Sequence, residues 1–120
     1  MKILRYDRLD ESKDSVINKP RLSVLPNGDQ ILNINDICPK TLPFKERENY
    51  KIILEMVEKN QMDTIVFPSL GKLGYNKLNI LKIIKEFDDK GVNVSFEKEN
   101  IKTKNEDMSS NTVIYSILNF

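Results

Sequence analysis

The residues best placed for chemistry stand at two points of this 120-residue chain. One is the 69–76 stretch SLGKLGYN, followed by Lys77. It falls between a short apolar run and an amphipathic stretch, so it reads as the loop from the C-terminal end of a strand to the N-terminus of a helix. Unpaired backbone N–H groups and the positive end of the helix dipole converge on such a loop. Lys72 and Lys77 add charge, and the combination suits an anionic oxygen. An ordinary strand–helix connection with solvated lysines satisfies the same residues, and Tyr75 within it fits base stacking or plain packing. The second point is Arg8, near the end of KILRYDRL, which projects at the same edge as the 69–76 loop if the two strands are parallel neighbours. Behind it, Asp10, Glu11 and Asp14 supply carboxylates for a metal, although acidic residues in a polar segment are more often simply solvated. Cys38 beside Pro39 has no histidine anywhere in the chain to activate it, and reads as a loop thiol.

These residues need elements to position them. Thr64-Ile65-Val66-Phe67 is too short for a helix and rich in β-branched residues, which predicts a buried strand. Leu78, Leu81, Ile84 and Phe87, joined by Ile80 and Ile83, recur at three-to-four spacing and predict a helix. Gly91 falls where a left-handed cap would end it, and 92–96 is a second strand. Strand, helix, strand is a βαβ unit with a right-handed crossover.

Ahead of it, Lys2–Leu9 predicts the first strand. Residues 10–19 offer a short helical turn at best, closed by Pro20. Two short runs, 21–25 and 30–35, flank an Asn-Gly turn and predict a β-hairpin. Residues 36–43 read as irregular. RENYKIILEMVEKN (47–60) predicts a helix with Tyr50, Ile53, Met56 and Val57 inward and Ile52 and Leu54 on its flanks; Met56 and Met62 fill the core. Residues 97–107 read as a mobile polar loop. Ser109 or Ser110 caps a last helix bearing Val113, Ile114, Ile117 and Leu118, too short to stand alone. It must pack on its own sheet or on another subunit.

Composition limits the function classes. With 39% hydrophobic and 31% charged residues the chain is an ordinary globular domain. Its formal charge, 19 − 18 = +1, gives no bulk pull toward nucleic acid or membrane. Only four of the nineteen basic residues are arginine, so each arginine position carries weight. The absence of histidine excludes histidine acid–base chemistry and most zinc sites. Neither a metal nor a cofactor is expected. No apolar run reaches membrane-spanning length and no signal-peptide core opens the chain, which makes the cytoplasm the default location.

The phrase ILKIIKEFDDKGVNVSFEKENIKT, followed by an apolar helix, resembles the catalytic domain of serine recombinases, the resolvase and invertase group. The resemblance runs from about Phe44 to the C-terminus, and Lys2 to Asp10 also fits the family's first strand. It implies an α/β, three-layer-like domain: a mostly parallel four- to five-stranded sheet flanked by helices. A β-hairpin at 21–35 stands in place of the family's first helix.

Such enzymes attack a DNA phosphodiester with a serine hydroxyl, inside a cluster of arginines that stabilises the transition state. Carried onto this chain, the resemblance sets Tyr6 and Arg8 at the signature Tyr and Arg, Asp36 at the acidic residue after the second strand, and Arg47 at the arginine opening the next helix. Lys72 and Tyr75 take the places of two further arginines, while Gly74 and Asn76 are kept. Asp10 stands at the nucleophile position, and Ser12 is the nearest hydroxyl. No intact catalytic set is therefore expected. Arg8, Arg47, Lys72, Asn76 and Lys77 remain candidates for holding phosphate or DNA.

Within these 120 residues the last helix is shorter than the family's and no DNA-binding domain is expected, so the expected partners are a second copy or a recombinase relative, with weak or no DNA binding. An active recombinase using Ser12, and a phosphate- or nucleotide-binding module at the Lys72 loop, are the alternatives.

Overall fold

The computed structural model describes residues 1–10, 21–74, 76–104 and 111. The strands are β1 (Lys2–Leu9), β2 (Arg21–Val24), β3 (Gln30–Ile37), β4 (Thr64–Phe67), β5 (Asn93–Phe96) and β6 (Ile101–Lys102), and the helices are α1 (Tyr50–Glu58) and α2 (Lys77–Asp89). All six strands form one sheet in the order β2-β3-β1-β4-β5-β6. The inner pairings β3–β1, β1–β4 and β4–β5 are parallel, and the two outer ones are antiparallel.

Alternation along each strand separates the two faces. Leu4 and Tyr6, Ile34, Ile65 and Phe67, and Val94 and Phe96 are buried in one cluster with Ile53 and Val57 of α1 and with Ile80, Ile83, Ile84 and Phe87 of α2. Both helices therefore cover the same face. The residues between them in sequence, such as Ile3, Asn33, Val66 and Ser95, are only half-buried on the other. Phe44 plugs the core from a 3-10 turn (Phe44–Glu46), its ring set edge-on to Tyr6, Tyr50, Phe67 and Phe87 with centroids 5.1–6.3 Å apart.

The hairpin at 21–35 is present. Leu25 N–H donates to the Asp29 carbonyl and Gly28 N–H to the Leu25 carbonyl, and Gly28 sits at φ +90°, the left-handed position such a loop demands. Gly91 ends α2 as expected. At φ +84° it donates to the Asp88 carbonyl while Val92 N–H donates to that of Phe87, a Schellman cap. Asn60, at φ +56°, ends α1 in the same way, with bonds to Val57 and Met56.

Several expectations need correction. The sheet has six strands rather than four to five, because the described part of the expected loop, residues 97–104, is not all loop. A turn through Asn100 (φ +53°) returns the chain as β6, where Ile101 pairs with Phe96. β3 continues to Ile37, taking Asp36 out of the expected loop and into the sheet. α1 begins at Tyr50, not Arg47, since Arg47 is extended and its side chain is engaged elsewhere. Ile52 is exposed, and so is Leu78 (60%), because burial on α2 starts only at Ile80. The expected turn at 11–19, Tyr75, the last helix with its serine cap and its Val113, Ile114, Ile117 and Leu118 all lie outside the described residues. No described helix is long and apolar enough to cross a membrane.

One buried ion pair closes the β6 side. Lys104 Nζ lies 2.6 Å from Asp88 Oδ1 and 3.2 Å from the Asp88 carbonyl, with both side chains under a tenth exposed. Lys104→Met removes a charge-assisted partner of the buried Asp88 carboxylate and should lower the unfolding free energy by about 1–3 kcal/mol in urea titrations.

Candidate functional site: a buried arginine cluster at the C-terminal edge of the sheet

The site starts from a buried carboxylate. Asp36, 2% exposed near the end of β3, receives the Tyr6 hydroxyl on Oδ2 at 2.8 Å. Its Oδ1 receives the Asn49 side-chain amide at 2.8 Å and the Asn49 backbone N–H at 3.3 Å. Asn49 is the residue before α1, so the carboxylate also sits at the positive end of that helix. Burial raises the Tyr6 phenol well above its ordinary value, Arg47 opposing the shift and Asp36 adding to it, so Tyr6 remains a donor.

Tyr6 passes the order on to Arg47, 3% exposed, whose Nη1 donates to the phenol oxygen at 3.2 Å. Arg47 Nη1 also donates to the Lys72 carbonyl, and Nε to the Leu42 carbonyl at 3.0 Å. These three anchors explain why residue 47 is extended and the helix starts later. Arg8 enters from β1, its Nη1 shared between the Cys38 carbonyl at 2.9 Å and Asp10 Oδ1 at 2.8 Å. Two guanidinium nitrogens, Arg8 Nε and Arg47 Nη2, are buried with no hydrogen-bond partner. Arginine nitrogens in that condition suit an anionic oxygen.

The parallel β1–β4 pairing does bring the 69–76 loop to Arg8, as the sequence implied. Lys72, however, turns inward: its Nζ lies 2.9 Å from Asp7 Oδ1 and donates to the Arg8 carbonyl at 2.9 Å. Asn76 caps α2, its Oδ1 accepting from Leu78 N–H at 3.0 Å and Asn79 N–H at 3.2 Å. Two of the helix N–H groups expected to face an anion, those of Leu78 and Asn79, are thus already satisfied. Lys77 is exposed at the start of α2, outside the buried cluster. Gly74 sits at φ +135°, ψ −173°, a conformation essentially reserved for glycine, and carries the chain from Leu73 in the core to the cap. Tyr75, Glu11, Ser12 and Asp14 lie outside the described residues, and no metal-holding group occurs among the described ones.

Asp10 is exposed, and the hydrogen bond and charge of Arg8 hold its carboxyl below the ordinary value. With a depressed folded pKa, whatever this pair contributes is present above the ordinary carboxylate range. It is lost only as pH falls through the lowered value. Asn49 was not singled out in the sequence. An Asn just ahead of a helical pattern reads as a cap, and here its side chain holds Asp36 instead.

Tyr6→Phe removes one donor to a buried carboxylate and one acceptor from a buried guanidinium. It should cost about 1–3 kcal/mol in denaturant unfolding, with the fold retained by circular dichroism.

The fold matches solved serine recombinase domains. The N-terminal catalytic domain of TP901-1 integrase superposes with a TM-score of 0.69 at 18% identity, covering 98% of this chain and 91% of that one. The C-terminal catalytic domain of ISC1926 TnpA, an IS607-like serine recombinase, superposes at 0.59 with 13% identity, covering 81% and 70%. No curated protein matches the chain in sequence. The family model described as Resolvase, N terminal domain matches residues 40–119, two thirds of the 120, and includes Arg47 and Lys72 while leaving Tyr6, Arg8, Asp10 and Asp36 ahead of it. On that match the chain belongs to the resolvase N-terminal domain family.

Proposed function

We propose that this is a recombinase-type domain that does not cut DNA and acts through contact with other protein chains, a second copy or a recombinase relative. The observation that carries the first half is the Arg8–Asp10 pair, at 2.8 Å. Asp10 follows β1 directly, where the family resemblance expects the serine nucleophile. A carboxylate there cannot form the stable phosphoserine-type ester, and its charge repels an incoming phosphate while neutralising Arg8. The inward turn of Lys72 supports the same reading, because a cation bound to Asp7 and to a main-chain carbonyl contributes less to stabilising a pentacovalent phosphorus. The apolar pattern Val113, Ile114, Ile117 and Leu118 supports the contact role on sequence grounds.

One observation favours a second reading. Arg8 Nε and Arg47 Nη2 are buried and unpartnered, as an anion site requires. An active recombinase would use them with Ser12 as nucleophile. A nucleotide module at the Lys72 loop has less support, since Lys72 and Asn76 are both engaged within the protein.

The test is a nicked suicide oligonucleotide duplex incubated with the full chain. No covalent complex should appear on denaturing gels or by mass spectrometry. A covalent complex overturns the proposal, and its disappearance in Ser12→Ala would put the active recombinase in its place.

Asp10→Asn separates the two roles of the arginine cluster. It should raise binding of a short duplex a few-fold at low salt, the size usual for an exposed ion pair, measured by fluorescence anisotropy, and still yield no cleavage.

A further inference from the structure

Strand β1 outruns its neighbour β4, since the pairing of the two ends at Arg5 and Val66. Leu9 accepts from Cys38 N–H on the β3 side, and alternate residues of a parallel ladder face the same neighbour. Arg8 therefore turns its backbone N–H and C=O to the β4 side, where no strand is left to meet them. One ion pair satisfies both groups. Asp7 Oδ1 accepts from Arg8 N–H at 2.8 Å and from Lys72 Nζ at 2.9 Å, and Lys72 Nζ donates to the Arg8 carbonyl at 2.9 Å. The side chains are 34% and 27% exposed, so the pair is of the kind that adds little to stability.

Its placement matters more than its strength. Side chains alternate along a strand, and Arg8 is buried with Tyr6 on the helix-covered face, so Asp7 projects from the other. The main chain of residue 72 is tied beside Arg47 through its carbonyl, while the four-carbon stem carries Nζ round the end of β1 to Asp7. The unpartnered nitrogens Arg8 Nε and Arg47 Nη2 belong to the helix-covered side. Asp10 does not account for this arrangement, because its hydrogen bond is to Arg8.

We propose that Asp7 is a positioning residue that closes the site to phosphate: an internal counter-anion that draws Lys72 toward the helix-free side of the sheet, away from the two guanidinium groups. The inference deepens the proposed function and rests on it, since it names what withholds a third cation from a site that does not cut. Asp7→Asn keeps an oxygen for Arg8 N–H and removes only the charge that holds Lys72. The ammonium then swings on its stem to the side of Arg8 and Arg47, and a DNA phosphate entering there meets three cations instead of two.

The test is binding of a short duplex by the full chain, measured by fluorescence anisotropy over a range of salt. Asp7→Asn should bind about threefold to tenfold more tightly at low salt, and its plot of log K against log salt should steepen by about 0.9, the counterion release of one further phosphate contact. Lys72→Met added to the Asp7→Asn chain should cancel both gains. Asp89→Asn, an equal change of charge at an exposed position at the far end of α2, should reproduce neither. No gain in Asp7→Asn overturns the proposal. A gain that survives Lys72→Met also does so, because it then comes from lost repulsion, and so does an equal gain in Asp89→Asn.

Lysine labelling reads the geometry without any variant. In the unsubstituted chain an amine-reactive reagent should modify Lys72 several times more slowly than the exposed Lys85 of α2, followed by mass spectrometry, and Asp7→Asn should close that gap. Equal rates in the unsubstituted chain overturn the proposal, whether or not Asp7→Asn folds. Failure of the proposed function gives a different signal, a covalent complex on the nicked duplex, whereas the salt slope and the labelling rates bear on Asp7 alone.

Discussion

A carboxylate buried to 2% must be surrounded by donors or give up its charge, and much of this domain can be read from how Asp36 is satisfied. The donors come from two directions. Tyr6 reaches across from the neighbouring strand, and Asn49 supplies both its side chain and its backbone N–H from the start of α1. One ion thereby fixes the registry of β1 against β3 and the point at which the helix begins. The same phenol then orients Arg47. The rigid part of the site is consequently its lower layer, Tyr6, Asp36, Asn49 and Arg47, none more than 5% exposed.

Above that layer the arrangement is different. Arg8 keeps a carbonyl contact within the protein and gives the rest of Nη1 to Asp10, whose side chain is 85% exposed. Lys72 is drawn back to Asp7 and the β1 backbone. The positive charge of the site is thus partly offset by two aspartates bracketing Arg8 in sequence, one on each side. The site therefore has two layers: a buried arginine pair with nitrogens left over, and above it a set of charges that largely neutralise one another.

Much of the fold was legible because it depends on local periodicity. The strand at 64–67, the α2 stripe, the Gly91 cap and the hairpin at 21–35 all follow from spacing and turn chemistry that act within a few residues. What was missed depends on contacts distant in sequence. Helix α1 starts at Tyr50 because Arg47 is held by groups at positions 6, 42 and 72, which no window around 47 contains. β6 is two residues long, and only its pairing with β5 distinguishes it from a loop. Phe44 gave no helical or strand pattern, yet it fills the core among four other rings. At the site, the edge shared by Arg8 and the 69–76 loop could be anticipated from parallel strands. The inward turn of Lys72 and the role of Asn49 could not, since both depend on which partner a flexible side chain finds in three dimensions.

The manner in which Arg47 is moored to the 69–76 loop has a consequence for how such a site can drift. Its bond there is to the main-chain oxygen of residue 72, and every amino acid carries that atom. The side chain at 72 is therefore free to be exchanged, arginine for lysine or for something uncharged, without unseating the neighbouring guanidinium. A change of side chain at 72 need not spread to Arg47, and the buried layer beneath can keep its geometry while the residue above it varies.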